Sequence, residues 1–337
     1  MGHEVYQKMV YSFEKPMWHV LAKPSLVPTS ARGILDGQFK GGYPIETRPV
    51  YVELNGQLHE KQKEFALVRG AWVDDPQEIV IDYCSERYKP LQPGEIADSF
   101  DANVGQPAET MGFLREGREM FISWVMPTFE VRPGDEVKLY GIIKNGFDTF
   151  KGASLFNAIY RPICANTMAM AEGWAENNGG KIWNSKGVNH NLLRDLGYWM
   201  EHVQSRALTE AELLKQFFGH LAKTPIKSDA QAWEILYQAY PDTVSISSLY
   251  PRQLRDAKEK KTVSENVSQA EMRDGIFAMF SGQGTGITAD GWGLFNSGTE
   301  FLNHYKPSKR PTASSMMWGG RNDDAMKLVK VLSTWAA

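Results

Sequence analysis

The sequence predicts an α+β fold, in which an antiparallel β-meander feeds a central helix and a mostly helical half follows. Apolar and polar residues alternate with period two in segments such as Val137–Ile143, which is typical of strands with one buried face. Turn signals such as Pro133-Gly134 separate these segments. Towards the carboxy terminus the apolar spacing changes to the 3.6-residue period of helices. The predicted organisation is a sheet domain with the central helix over residues 1–180 and a helical region packed on it over residues 181–337.

Four strands are predicted in the meander, namely Met111–Leu114, Met120–Val125, Val137–Ile143 and Leu155–Cys164. Asn166 is a good helix N-cap, so the last strand is expected to lead into a helix over Thr167–Glu176. This helix is expected to pack across the sheet through Met168, Ala171 and Trp174. Residues 1–45 are expected to be irregular. Strands over Val50–Leu54, Glu64–Val73 and Glu78–Tyr83, and a short helix over Ile96–Val104, are predicted between that segment and the meander.

The carboxy-terminal half carries repeated helix-start signals. Ser228 and Gln231 form a capping-box pattern, which recurs at two other places. The glycine-rich run Gly282–Gly286 lacks a phosphate-gripping lysine and is interpreted as a connection, with Thr288 or Asp290 capping the next helix. The predicted helices are Asn191–Val203, Thr209–Leu221, Ser228–Tyr240, Ser268–Phe280, Asp290–Tyr305 and Asn322–Trp335.

Composition is that of an ordinary globular protein, with 337 residues, 42% hydrophobic, 23% charged and a net charge of -3. This charge excludes a uniformly basic nucleic-acid binder but allows a local basic patch. Cys84 and Cys164 are the only cysteines, so we expect no disulfide framework and a reducing cytoplasm. The sequence lacks an apolar run of about 18 residues, which predicts no membrane span. The histidines lack zinc-ligand spacing, so no metal or cofactor is expected.

Specific catalytic motifs are missing from the sequence, and the one nuclease candidate is the run Asp135-Glu136-Val137-Lys138. Metal-dependent nucleases place an acidic-x-Lys triplet on a strand, with a further carboxylate for magnesium, here Asp101 or Glu109. Solvated charges at the start of a strand explain the triplet equally well. Cys164 precedes a predicted helix N-terminus, but no histidine has a telling spacing to it, so a buried structural cysteine is favoured.

Basic residues are concentrated in a few stretches. Residues 138–161 carry four basic residues against one acidic residue, and residues 252–261 carry five against two. Cations bind phosphates and aromatic rings stack on unpaired bases, and by period two Tyr140 lies between two lysines on one sheet face. A solvated sheet face explains the same charges. The predicted nucleic-acid-binding residues are Lys138, Tyr140, Lys144, Lys151, Arg161, Arg252 and Arg255.

Three stretches together resemble the phage/plasmid-like proteins, a family of unknown function found in prophages, plasmids and phage genomes. These are Lys15–Ala22 with its Trp-His, Arg161–Ala171 with its Arg-x-x-Cys-x-Asn-Thr, and Gly284–His304 with its Asn-x-x-Thr-Glu-x-x-x-His. The resemblance covers nearly the whole chain and implies a bacterial cytoplasm with phage or plasmid DNA metabolism. Members often carry His-Asp-Gly-Ser in the central meander, whereas Asn145–Ser154 here lacks that histidine, so any role of it is absent or altered.

The order of strands followed by a helix is also similar to the core of the phage single-strand annealing proteins, the RecT/Red-beta group, without a shared motif. Those proteins form rings or filaments that hold single-stranded DNA. The two resemblances imply a phage or mobile-element protein that binds nucleic acid, single-stranded DNA first, for annealing in replication or recombination, as a homo-oligomer. Two alternatives stay open. One is a metal-dependent nuclease using Asp135, Glu136 and Lys138, and the other is an interaction protein that inhibits a host defence system.

Overall fold

A computed structural model of the chain describes residues 5–11, 22–26, 30–149, 153–161, 166–169, 211–241, 263–306 and 320–336. Two sheets lie in the first half of these residues and helices make up most of the second half, so the predicted α+β class is confirmed. The strands of the described part are β1 (Val5–Tyr11), β2 (Ala22–Pro24), β3 (Ile45–Leu54), β4 (Gln57–Arg69), β5 (Ile79–Ser85), β6 (Thr110–Leu114), β7 (Glu119–Arg132), β8 (Asp135–Gly146), β9 (Ala153–Arg161) and β10 (Asn166–Ala169).

The larger sheet holds, within the described ranges, seven strands in the order β10-β9-β8-β7-β6-β1-β2. From β6 to β10 each strand pairs antiparallel with the next one along the chain, which is the predicted meander. The expected pairing of Val137–Ile143 with the following strand is confirmed, and its register places Ile143 opposite Leu155 and Leu139 opposite Ile159. Strict alternation fixes this register because a slip by one residue would exchange the two faces of the strand.

The smaller sheet has the order β3-β4-β5, and all its neighbours are antiparallel. β4 begins at Gln57, earlier than predicted, because the Asn55-Gly56 turn connects it directly to β3. Asn55 and Gly56 have φ of 53° and 76°, as two-residue hairpin turns require. β5 pairs with β4 only from Glu64 to Arg69, so the outer part of the β3–β4 hairpin is two-stranded.

The helices of the described part are α1 (Ala31–Gln38), α2 (Pro93–Asn103), α3 (residues 211–223), α4 (Asp229–Ala239), α5 (Val263–Ala278), α6 (Gly291–Glu300) and α7 (Gly320–Trp335). Ser228 and Asp290 cap α4 and α6 as predicted, and the Asp290 carboxylate accepts a hydrogen bond from the Gly293 N–H at 2.9 Å. α5 begins at Val263, so the predicted start at Ser268 is wrong. Single π-helical segments follow α5 and α6, over Met279–Gln283 and Phe301–Tyr305.

The largest correction concerns the predicted helix after Asn166. Asn166–Ala169 is strand β10, which pairs antiparallel with β9 through Asn166↔Arg161 and Ala169↔Ala158. The residues therefore satisfy their backbone groups against the free edge of β9, and Asn166 is not a helix N-cap. Met168 accordingly lies in the sheet itself, while the rest of the predicted helix lies outside the described residues.

Residues 1–45 are also more regular than predicted, because they contain β1, β2 and α1. β1 pairs with β6, so its stability depends on a strand about 100 residues away. Both oxygens of Asp101 accept hydrogen bonds from the first backbone N–H groups of α1, at 2.7 Å from Ala31 and 2.8 Å from Arg32. The predicted helix Asn191–Val203 and the proposed domain boundary near residues 177–186 lie outside the described residues.

Both faces of the central strands are buried. On one face Trp124 lies over Gly141, where an added Cβ would come within 2.1 Å of the indole ring. The opposite face also contains fully buried residues, including Phe121 and Ile142. The main apolar cluster of the described residues extends from Val10 to residues of α7, so sheet and helices share one core. Within the described part, none of the helices has the length and apolar character needed to cross a membrane.

Polar contacts join the β7–β8 turn to α6. The Arg132 guanidinium forms an ion pair with Asp290 and donates to the Ala222 carbonyl at 2.9 Å. Asp135 accepts a hydrogen bond from the Trp292 indole N–H at 2.8 Å. These contacts fix the carboxy-terminal helices, including the end of α3, against the sheet.

Candidate functional site

The predicted binding residues of β8 share one face of the sheet, as period two requires, but that face is not open. The register places Tyr140 opposite Val125 and Lys144 opposite Phe121. Tyr140 is 1% exposed, so the expected surface ring between two cations is not observed. A run of alternating residues predicts which side chains share a face, and it does not report whether that face is covered.

Lys144 is mostly buried and its charge is balanced by a carboxylate. Its Nζ atom lies 3.3 Å from Glu119, whose side chain has no exposed surface. The other oxygen of Glu119 binds Arg115 at 2.8 Å. Removing Lys144 from this carboxylate would leave a buried charge without its partner, so Lys144 is held by Glu119 and is not available to a phosphate.

The remaining predicted residues do not form a described site with these two. The Lys138 side chain is one-quarter exposed, and its Nζ atom lies 3.8 Å from Oε1 of Glu136. Arg161 belongs to β9, where its backbone pairs with Asn166. The other predicted residues, Lys151, Arg252 and Arg255, lie outside the described part of the chain.

The acidic residues of the nuclease alternative are engaged in structural contacts. Asp135 accepts a hydrogen bond from the Trp292 indole N–H, and both oxygens of Asp101 accept hydrogen bonds from backbone N–H groups at the start of α1. Glu109 is 3% exposed. The described residues contain no group of three or more His, Cys, Asp or Glu side chains that could hold a metal ion.

A different basic surface lies on α3 and the loop that follows it, which we call the α3 basic surface. It consists of Lys215, His220, Lys223 and Lys227, all exposed, and residues 211–227 contain a single acidic residue, Glu212. Within the described ranges none of the three lysine side chains has an acidic partner. In the sequence this surface corresponds to three lysines spaced by eight and four residues. They form a weaker excess of basic residues than residues 138–161, which include part of β8.

Packing of the opposite face holds α3 in place. Leu214, Phe218 and Leu221 are buried, and the Phe218 ring lies 4.7 Å from that of Trp292. Because helical residues three and four apart share a face, this apolar stripe turns the lysines towards solvent. Lys223 lies in the last turn of α3, where a cation also interacts favourably with the helix dipole.

The carboxy-terminal motif of the sequence is buried and structural. Glu300 is 4% exposed and accepts hydrogen bonds from the Thr285 N–H at 2.9 Å and from the Thr285 hydroxyl at 3.2 Å. Thr299 donates its hydroxyl to the Asn296 carbonyl at 3.0 Å. The motif therefore fixes the glycine-rich loop against α6. His304, at the end of the motif, is exposed.

The two most specific motif stretches meet in the fold. β10, which contains Asn166 and Thr167, lies against α6 and also contacts α7. Asn296, Ser297 and Thr299 of α6 are all buried. Residues far apart in the sequence therefore belong to one structural unit. Cys164 lies outside the described residues; burial raises the pKa of the Cys84 thiol, which argues against reactivity there.

Comparison with known proteins identifies one family. The family described as Domain of unknown function (DUF932) matches residues 80–325, about three-quarters of the chain, from β5 into α7. No curated protein and no solved structure matches the chain. The predicted membership of a family without an assigned function is confirmed, and the similarity to annealing proteins stays a prediction.

Proposed function

Because the chain belongs to the DUF932 family, a domain of unknown function, we propose its function from its own surface: the protein binds nucleic acid, single-stranded DNA first, through the α3 basic surface. The observation that carries the proposal is the exposure of Lys215, Lys223 and Lys227 without acidic partners in the described residues. Unpaired lysines can replace the counterions of a phosphate backbone, which drives binding.

The contrast with β8 supports the choice of this surface. Lys144 would have to leave Glu119 before it could bind a phosphate, and Glu119 would then remain buried without that partner. The lysines of α3 meet no such cost. Lys215 and Lys223 are eight residues apart on a helix, so their Cα atoms are separated by about 12 Å along the axis, and Lys227 extends the row beyond the helix end. A row of this length can contact more than one phosphate of an extended single strand.

The resemblance to phage/plasmid-like proteins supports a setting for this activity. We place it in replication or recombination of phage or plasmid DNA in a bacterial cytoplasm. Binding by lysines alone is tolerant of sequence, since phosphates carry no base information. The proposed role is therefore coating or annealing of single strands and not recognition of a defined site.

The test is fluorescence anisotropy of a labelled 30-nucleotide single strand, measured against salt for the parent and a Lys215→Gln, Lys223→Gln, Lys227→Gln triple variant. Each lost phosphate contact should lower the slope of log affinity against log salt by about 0.7. The matched control is Lys61→Gln, an exposed lysine of β4 that pairs with Glu64. An unchanged slope in the triple variant, or an equal loss in the control, would overturn the α3 site.

The same mixtures separate the open alternatives. A denaturing gel after addition of magnesium reports strand cleavage, which the nuclease alternative requires and the binding proposal does not. If the parent protein does not change the anisotropy of labelled single-stranded or double-stranded DNA at low salt, it does not bind DNA. That result would contradict the proposal and favour an interaction protein.

A further inference from the structure

The outer part of the β3–β4 hairpin projects from the body of the protein, and we call residues 50–60 the hairpin arm. Every residue from Tyr51 to Lys63 is exposed, on both faces of the two strands. β5 covers β4 only from Glu64 onwards. An isolated two-stranded hairpin is at best marginally stable in water, so an arm of this kind gains stability by binding something.

Apolar side chains occupy the arm in a regular pattern. Tyr51 is 55% exposed, Val52 44%, Leu54 54% and Leu58 71%. By period two, Val50, Val52 and Leu54 lie on one face of β3, whereas Tyr51 and Glu53 lie on the other. Clustered apolar residues on a projecting element mark an interaction surface.

The backbone of β3 in the arm is also unpaired on its outer side. β3 is the edge of its sheet within the described part of the chain. In the body, Pro49 interrupts this edge because proline has no N–H to donate. The ladder with β4 is also irregular between Pro49 and Tyr51, but from Tyr51 to Leu54 it is regular, and this part of the edge can accept another strand.

The charges of this region favour a protein over nucleic acid. Glu53 and Glu60 balance Lys61 and Lys63, so the arm and its base offer phosphates no excess of cations. The pairing strand itself, Val50 to Leu54, carries a single charge, Glu53, so two copies repel each other strongly only in a register that sets the two carboxylates opposite each other. Antiparallel pairing of two identical strands about a twofold axis through Val52 places Val50 opposite Leu54, Tyr51 opposite Glu53, and Val52 opposite itself. This register sets apolar residues against apolar residues and keeps the Glu53 side chains of the two copies apart.

We propose that two copies of this chain associate by antiparallel pairing of their β3 arms about a twofold axis at Val52, forming a continuous four-stranded ribbon. The proposal goes beyond nucleic-acid binding and does not depend on it. Strand addition supplies the backbone hydrogen bonds, and the alternate apolar side chains supply the specificity.

Sedimentation velocity of the full chain tests the proposal, with a dimer expected at twice the 38.0 kDa mass of the chain at micromolar concentration. Val52→Lys sets two ammonium groups opposite each other and should weaken the dimer by about tenfold or more. Leu58→Lys is the matched control, since it makes the same kind of change at a more exposed aliphatic residue on β4 and should leave the dimer intact. At concentrations where parent and variants are all monomeric, both variants should keep the parent melting temperature because neither residue is buried.

A second measurement locates the axis directly. Val52→Cys should give a covalent dimer with a short bismaleimide, whereas Leu58→Cys should give none, because only residue 52 lies opposite its own copy. A parent that sediments as a monomer, a dimer that Leu58→Lys breaks while Val52→Lys does not, or a dimer indifferent to both would overturn the proposal. Loss of DNA affinity in Val52→Lys with the dimer intact would overturn it too, by assigning the arm to nucleic acid.

Discussion

Lys144 and Glu119 form an ion pair across β7 and β8, with 3.3 Å between Nζ and Oε2, and Glu119 has no exposed surface. Arg115 binds the same carboxylate at 2.8 Å. The buried Glu119 carboxylate thus pairs with two cations on the face where a phosphate site was predicted. Lys144 therefore has a structural role in the sheet.

We expect Glu119→Gln to destabilise the protein by about 3–5 kcal/mol, because it leaves a mostly buried lysine without its counter-charge. Urea denaturation at pH 7 measures this loss. Glu78→Gln is the control, since Glu78 pairs with Arg48 at 2.6 Å and both side chains are more than 40% exposed. Its cost should be much smaller, because solvent screens an exposed ion pair. Equal costs in the two variants would contradict the structural role of Glu119.

Gly141→Ala should destabilise the sheet because the new methyl group would lie 2.1 Å from the Trp124 ring. The expected cost is about 1–3 kcal/mol, from displacement of a fully buried indole. Gly219→Ala is the matched control on α3. An added Cβ there meets nothing within 4 Å, and alanine should stabilise the helix by about 0.5–1 kcal/mol. Thermal unfolding should move the two melting temperatures in opposite directions, and a shift in the same direction would contradict this packing.

The stability contribution of Asp82 should depend on pH. Burial raises the pKa of Asp82, but hydrogen bonds from the Thr149 hydroxyl and backbone N–H and from the Tyr83 backbone outweigh it, so the pKa lies below its ordinary value. A lowered folded-state pKa contributes stability above the unfolded value of about 3.9, and this stability is lost as the pH falls through the folded value.

Thr149→Val should therefore cost about 1 kcal/mol at pH 7, and the difference from the parent should shrink towards pH 2. Urea denaturation at a series of pH values measures it. Thr224→Val is the control, because the Thr224 hydroxyl donates to the His220 carbonyl and no ionised partner is involved. Its cost should not vary between pH 7 and pH 2, and the same flat profile for Thr149→Val would remove the Asp82 interpretation.

Two substitutions of Asp290 should separate its two roles. Its carboxylate caps α6 through the Gly293 N–H at 2.9 Å and pairs with Arg132. Asparagine keeps the cap and loses the charge, whereas alanine loses both, so Asp290→Ala should be less stable than Asp290→Asn by about 1 kcal/mol. Chemical denaturation of both variants gives this difference directly. Identical stabilities would mean that the cap contributes nothing.

Local patterns in the sequence predicted the meander and several helix starts, because those features depend on neighbouring residues. Val137–Ile143 alternates strictly and forms part of β8, and Ser228 and Asp290 cap the helices that follow them. Asn166 shows the limit of such signals. Its side chain suits an N-cap, but the free edge of β9 offers its backbone a strand partner, which overrides the local preference.

The burial of two predicted binding residues could not be inferred from the sequence, for a different reason. Tyr140 and Lys144 were placed on the correct side of β8, yet burial is set by elements that alternation does not reveal. The lysines of α3 carry too weak a charge run to stand out in the sequence. The burial of Leu214, Phe218 and Leu221, with Phe218 packed against Trp292, shows which face of α3 is left to solvent.

The position of β1 constrains how the chain is made. Val5 pairs with Leu114 and Tyr11 with Thr110, so β1 has no partner on β6 until about 100 later residues have left the ribosome. At translation rates of about 5–20 residues per second, this wait lasts roughly 5–20 s. Pairings so distant in sequence also slow folding, because the long loop must close before its contacts form. During that interval the edge of β1 that later pairs with β6 is open to non-native pairing, the kind of contact from which aggregation of folding intermediates starts.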